Sequence, residues 1–283
     1  MTHTRTQLHA LLERHGLGAS RALGQNFVVD PNTVRRIARL ARVDASTPVV
    51  EIGAGLGSLT LALAETGASV TAVELDRHLV PVLEDVVRGL DVRVVHADAM
   101  KLDWDHLLSA HERWVLVANL PYNVATPLVL DLLAEVPRIE RMLVMVQFEV
   151  GERLAAGPGT AAYGIPSVKV ALRARARVVG KVGPDVFEPR PRVDSALVEI
   201  ERLDRLATDA DPRQLVSLVE AGFNQRRKML RRSLATRVSP AAFAAAGIDP
   251  TDRPERLSVQ EWGRLTDAVG EHPLRPAVPS PDA

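Results

Sequence analysis

The chain carries two kinds of apolar pattern in alternation. From Pro48 onward, Val49–Ile52, Val70–Val73, Val92–Val95, Val115–Val117 and Met142–Val146 form short runs rich in β-branched residues. Runs of this length suit strands buried on both faces, as in a parallel sheet. Between them, Leu59–Ala64, Leu79–Val87 and Leu128–Leu133 repeat apolar residues at helical spacing. Strands and helices in turn predict βαβ units and a doubly wound α/β sheet. The alternation decays after about residue 150. Val178–Val182 and Ala196–Ile200 read as two further strands across a loop with Pro184, Pro189 and Pro191. Late strands of this kind commonly pair antiparallel in mixed sheets.

The flanks read differently. Residues 1–47 are helical and basic in pattern. Asp30 as N-cap and Pro31 in the first turn predict a helix to about Leu40, its exposed face carrying Arg35, Arg36, Arg39 and Arg42. Residues 203–212, with three Asp and one Pro, read as a linker. Beyond it, 213–236, 240–246 and 258–269 read as helices of a small C-terminal domain. His272–Ala283 contains four prolines and is expected to fray. The expected organisation is therefore a helical cap over 1–47, a sheet-based core over 48–202, a helical domain over 203–271 and a tail over 272–283.

Composition narrows the function. Of 283 residues, 46% are hydrophobic and 25% charged, the balance of a chain with a real core and not of a disordered or collagenous one. There is no cysteine, which excludes disulfides, thiolate catalysis and Cys-ligated metal centres. No apolar run reaches the ~20 residues of a membrane helix, and the opening Met-Thr-His-Thr-Arg-Thr lacks the apolar stretch of a signal peptide. A cytoplasmic protein with no membrane partner is expected. Lys plus Arg equals Asp plus Glu at 35 each, so a polyanion has to be met by a local basic face. Arg226, Arg227, Lys228, Arg231 and Arg232 crowd five cations into seven positions, and residues 169–192 hold seven basic side chains against two acidic ones. Like charges this dense repel, and an RNA backbone would relieve them; a solvated helix face is the alternative.

Chemistry-bearing residues fall at the ends of the predicted strands. Glu51-Ile-Gly-Ala-Gly-Leu-Gly57 follows the first core strand and opens a helix. Glycines at 53, 55 and 57 let backbone approach a ligand, although such a turn also serves ordinary tight bends. The second strand ends in Glu74, where an acid commonly accepts hydrogen bonds from both ribose hydroxyls of an adenosyl cofactor. The third ends in Asp98, at the edge where open α/β sheets bind ligands. The fourth runs into Asn119-Leu120-Pro121-Tyr122. An adenine amine is a poor nucleophile because its lone pair is delocalised into the ring. Two acceptors beside its N–H groups, the Asn119 amide oxygen and the Leu120 carbonyl, can orient it and stabilise the positive charge that develops as it attacks. Pro121 fixes the direction of that carbonyl, and Tyr122 offers a ring on which an extruded base can stack. His78, His96 and His106 lack ligand spacing, so neither a metal nor a histidine catalyst is assigned.

These segments resemble the adenine-N6 methyltransferases that dimethylate ribosomal RNA. Gly24-Gln-Asn-Phe27 is similar to the family's N-terminal signature, Glu51–Gly57 to its cofactor loop and Asn119–Tyr122 to its catalytic motif. Met145-Val-Gln147, Tyr163-Gly164, Phe187–Ser195 and Phe223–Lys228 extend the likeness over nearly the whole chain, the last two favouring the small-subunit members. The resemblance implies a Rossmann-like class I methyltransferase sheet with a small all-helical C-terminal domain, and S-adenosylmethionine as cofactor. It implies 16S rRNA within the 30S precursor as partner and two adjacent adenosines near the 3′ end as target; a monomer is expected. Carried over, Asn26 and Val28 contact the cofactor from above, Gly53 lines its methionine side, Glu74 holds its ribose and Asp98 its adenine amine; Gly55 and Gly57 of the same turn are expected to line the cofactor too. Asn119 borders both cofactor and target. Three positions depart from the family: Val28 replaces Leu, Ala54 replaces Pro, and Phe148 stands where Lys is frequent. Two alternatives stay open, a 23S rRNA methylase conferring macrolide resistance and a methyltransferase-derived RNA-binding assembly factor.

Overall fold

The computed structural model describes residues 2–20 and 23–272; the tail expected to fray lies outside them from residue 273 on. Among the described residues nine strands form: β1 (Phe27–Val28), β2 (Pro48–Ile52), β3 (Ser69–Glu74), β4 (Val92–His96), β5 (Trp114–Asn119), β6 (Ile139–Gln147), β7 (Ala174–Val182), β8 (Phe187–Glu188) and β9 (Ser195–Arg202). The helices are α1 (Arg5–Arg14), α2 (Pro31–Ala41), α3 (Ser58–Ala64), α4 (Val80–Val86), α5 (Trp104–Leu107), α6 (Ala125–Glu135), α7 (Phe148–Leu154), α8 (Ile165–Arg173), α9 (Pro212–Phe223), α10 (Leu230–Ser233), α11 (Pro240–Ala246) and α12 (Val259–Glu271). None of the described helices is long and apolar enough to cross a membrane.

The chain divides into two compact units, Met1–Ala155 with Ala174–Arg202, and Ala156–Arg173 with Leu203–Ala283. The first is built on a seven-stranded sheet of order β4-β3-β2-β5-β6-β9-β7. Strands β2 to β6 pair in parallel, while β9 runs antiparallel to both β6 and β7. All seven expected strands are present. β1 and β8 add a two-residue antiparallel pair, Phe27 opposite Glu188 and Val28 opposite Phe187. Their apolar side chains join different cores: Val28 and Phe187 pack with α2 and the sheet, whereas Phe27 packs with Leu8, Leu56 and Leu79.

Helix α2 starts as its sequence demands, with the Asp30 carboxylate accepting from the Asn32 and Thr33 amides. Its arginines are more engaged than a free basic face would be. Arg35 pairs with Glu65, Arg36 donates to the Lys181 carbonyl, and Arg42 lies beyond the helix as its C-cap. The Arg42 guanidinium meets both Glu199 and Glu201.

The second unit corrects three expectations. Its boundary lies earlier in part, because α8 and the residues before it pack with the C-terminal helices: Val168 and Leu172 share a core with Leu215, Leu218 and Trp262. Residues 203–212 are no free linker, since the Ala207 amide donates to the Leu172 carbonyl, Ala210 is buried and Pro212 already opens α9. The helix expected over 213–236 breaks at Phe223, whose ring lies 6.2 Å from that of Tyr163 and 6.3 Å from that of Trp262. Past the break, Leu230 and Arg231 donate their amides to the Asp252 and Pro250 carbonyls, tying α10 to the loop before α12. Tertiary partners there outweigh helical continuity.

Candidate cofactor and target-base site

The parallel strands β2 to β5 of the first unit end together, and residues at and beyond their ends line one cleft open to solvent. It lies where the strand order reverses between β3 and β5 around β2, the position at which doubly wound sheets bind ligands. Gly53, Ala54 and Gly55 line it after β2, Glu74 after β3, Asp98 after β4 and Asn119–Val124 after β5, with Leu23–Val28 forming the remaining wall.

Glu74 braces the glycine turn. One carboxylate oxygen accepts the Gly55 amide at 2.7 Å and the other the Asp76 amide at 2.8 Å. Burial raises its pKa, and these two backbone donors oppose the rise. Each oxygen keeps a further acceptor position, as a vicinal diol requires. Asp98 accepts the Met100 amide at 3.0 Å and lies 3.6 Å from the Lys101 ammonium. Gly55 has a left-handed φ of 57°, and a Cβ there would lie 3.1 Å from the Phe27 ring. Gly57 departs from the expectation, for it does not line the cleft. It caps α3 with φ 84°, and a Cβ there would meet Leu83 and Val86 of α4, so its need is packing.

Glu51, to which the motifs assign no role, lines the same cleft. It is 1% exposed, and its Oε2 has no hydrogen-bond partner among the described residues. Burial pushes its pKa up to about 8; the nearby Thr60 hydroxyl opposes the rise and the Glu74 charge adds to it. The available signal was a lone acid inside Val49-Val50-Glu51-Ile52, where both sheet faces are covered.

Asn119 ends β5 with its amide oriented. Its Nδ2 donates to the Asn26 carbonyl at 2.9 Å, which leaves Oδ1 as an acceptor. The Leu120 amide is tied to the Met145 carbonyl at 3.0 Å. Tyr122 is half-buried; burial raises its pKa while a hydrogen bond shared with Ser195 opposes the rise. Asn26 spends its own side chain on the Gly24 carbonyl at 3.1 Å, so its backbone is what meets Asn119. Val28 is buried in β1. At the departure Phe148, the Lys181 ammonium stands 5.2 Å over the ring, so β7 supplies a cation at this place.

The basic cluster belongs to the second unit. Arg226 is largely engaged there, donating to the Ala161 carbonyl, lying 3.8 Å from Glu255 and stacking over Phe223. Arg227, Lys228, Arg231 and Arg232 are exposed, and none forms a salt bridge among the described residues.

The residues fit S-adenosylmethionine by the chemistry of their donor set. A buried carboxylate stands ready for a diol, a second acid for an amine, and the unpartnered Glu51 oxygen and the Cβ-free turn at Gly53 leave polar contact and space. A sheet of this order with such a cleft defines a class I, S-adenosylmethionine-dependent methyltransferase. Residues 17–270 match the ribosomal RNA adenine dimethylase family, and the chain belongs to it. A Kineococcus radiotolerans protein named ribosomal RNA small subunit methyltransferase A is 48% identical over 265 residues, covering 90% of this chain and 87% of that one. The Streptomyces coelicolor protein of the same name is 46% identical over 264 residues, covering 89% and 91%. Among solved structures, the 23S rRNA methyltransferase ErmE aligns with a TM-score of 0.68 at 26% identity, covering 86% of this chain and 99% of its own. A dimethyladenosine transferase from Plasmodium falciparum shares the fold, with a TM-score of 0.70 at 21% identity over 86% and 96% of the two chains.

Proposed function

We propose that this enzyme dimethylates N6 of two adjacent adenosines near the 3′ end of 16S rRNA in the maturing 30S subunit, acting in the cytoplasm as a monomer. The observation that carries the reading is the oriented amide of Asn119, an acceptor at the end of β5 in a cleft suited to an adenosyl cofactor. Identity of 46–48% to proteins named small subunit methyltransferase A, against 26% to ErmE, favours the small subunit over the 23S alternative. The intact Asn119–Tyr122 motif disfavours an assembly factor that has lost catalysis.

In this reading, Glu74 holds the cofactor ribose, Asp98 its adenine amine, and the Gly53–Gly55 turn its methionine side. Bound there, S-adenosylmethionine supplies an electrophilic methyl group. An extruded adenosine stacks on Tyr122, and its N6–H groups donate to Asn119 Oδ1 and the Leu120 carbonyl, to which no hydrogen bond is made among the described residues. These acceptors hold the amine as it becomes tetrahedral and stabilise its growing charge. The surplus N6 proton then leaves to solvent, and a second cycle repeats the transfer. Arg227, Lys228, Arg231 and Arg232 meet RNA phosphates, fixing position without reading sequence. The test is incubation of isolated 30S and 50S particles with labelled cofactor. Label in 30S alone supports the proposal, and label in 50S alone refutes it.

A further inference from the structure

Ser195 is a polar residue where the sheet calls for an apolar one. It opens β9, pairs with Gln147 at the end of β6 and Val182 at the end of β7, and is 0% exposed. The residue before it is fixed too, because the Phe148 amide donates to the Asp194 carbonyl at 3.0 Å. The Ser195 hydroxyl is thus held on a rigid ledge at the same strand edge that carries Asn119. Its hydrogen bond reaches the Tyr122 hydroxyl, 2.9 Å away and 73 residues distant in sequence. Tyr122 sits in a turn between β5 and α6 and is only half-buried, so the turn backbone alone leaves the ring torsions free. A buried hydroxyl without a partner is costly, so each of these two groups constrains the other.

We propose that Ser195 is a positioning residue for methyl transfer, clamping the Tyr122 ring in the attitude at which the target adenine stacks. The inference rests on Tyr122 being the stacking platform. It explains why a tyrosine, and not merely an aromatic ring, follows Pro121. Orientation matters most once the amine must point its lone pair at the methyl group, so the clamp acts on kcat more than on particle binding.

The test is a cycle of Tyr122→Phe, Ser195→Ala and the double variant, with Tyr122→Ala and Ser195→Thr alongside. Methylation of small-subunit particles gives kcat and KM, and thermal unfolding is followed in parallel. Each single variant should lose about five- to tenfold in kcat, the weight of one hydrogen bond, with KM within about twofold. The double variant should be no worse than either single one, Ser195→Thr should retain kcat, and Tyr122→Ala should fall further. If Tyr122→Ala keeps wild-type kcat, the stacking assignment itself fails. If Tyr122→Ala collapses while Ser195→Ala keeps kcat, or while the two single losses multiply in the double variant, the clamp alone is overturned. A loss confined to melting temperature also overturns it. Should Ser195→Ala not fold, Tyr122→Phe and Ser195→Thr still decide: full kcat in Tyr122→Phe, or a collapse in Ser195→Thr of normal stability, overturns the clamp.

Discussion

Glu51 sets a pH dependence of stability that one atom exchange should remove. Its carboxyl is wholly buried beside the glycine turn, with its pKa raised from an ordinary 4.5 to about 8, chiefly by burial. A group raised in this way is neutral in the fold at pH 5.5, while the unfolded chain has already ionised it. Between those two pKa values the folded state therefore binds more protons than the unfolded state, and stability falls as pH rises. Each unit in that window is worth ~1.4 kcal/mol. Raising pH from 5.5 to 8 should cost about 2–3 kcal/mol through this residue alone, allowing about a unit in the upper pKa. Glu51→Gln replaces the acid with a neutral amide of the same shape. Chemical denaturation of both proteins without cofactor, at several pH values from 5.5 to 8, isolates the effect as the difference between the two curves. Wild type should lose ground steadily against the variant as pH rises. Parallel curves would mean that Glu51 ionises alike in both states, and would rule this pH dependence out.

Further outcomes follow from the same geometry. Glu74→Ala should weaken S-adenosylmethionine binding by roughly 1.5–3 kcal/mol in calorimetry, since a charge-assisted contact and the Gly55 brace go together; unchanged affinity removes Glu74 from the site. Gly55→Ala should destabilise the protein by about 1–2 kcal/mol, from its left-handed backbone and the Phe27 ring 3.1 Å from the new methyl; a melting temperature equal to wild type contradicts this. Replacing Arg227, Lys228 and Arg231 with Ala should weaken particle binding and reduce its salt slope by about one for each phosphate no longer neutralised; an unchanged slope takes these residues off the RNA. Arg226 is left out because its bonds to Ala161 and Glu255 would confound the result with unfolding.

The strands were legible because β-branched runs such as Val49–Ile52 and Val115–Val117 have few other uses, and the strand-end residues came with them. What escaped is tertiary in origin. The Asp-rich segment 203–212 has the composition of a linker, yet the Ala207 amide bonds to α8 and Ala210 is buried, which pattern alone cannot reveal. β1 and β8 are two residues each, too short for any periodicity, although they place Val28 at the cleft. Gly57 belongs to the glycine motif but answers to Leu83 and Val86, and spacing does not distinguish a ligand from a neighbouring helix. The Tyr122 ring was readable from Asn-Leu-Pro-Tyr; its hydroxyl's partner, Ser195, was not, because 73 residues separate them.

In the proposed reaction, Asn119 Oδ1 receives the adenine amine of a small-subunit target. The most direct measurement uses 30S particles lacking the modification, treated with wild type or with Asn119→Ala and S-adenosylmethionine, then digested and mapped by mass spectrometry. Wild type should leave dimethyladenosine at two adjacent positions near the 3′ end of 16S rRNA. The variant should bind particles with near-normal affinity and leave those adenosines unmodified, because its loss falls in the transition state. Dimethyladenosine formed by Asn119→Ala at the wild-type rate would remove Asn119 from the reaction, and methyl groups elsewhere in the particle would overturn the proposed target.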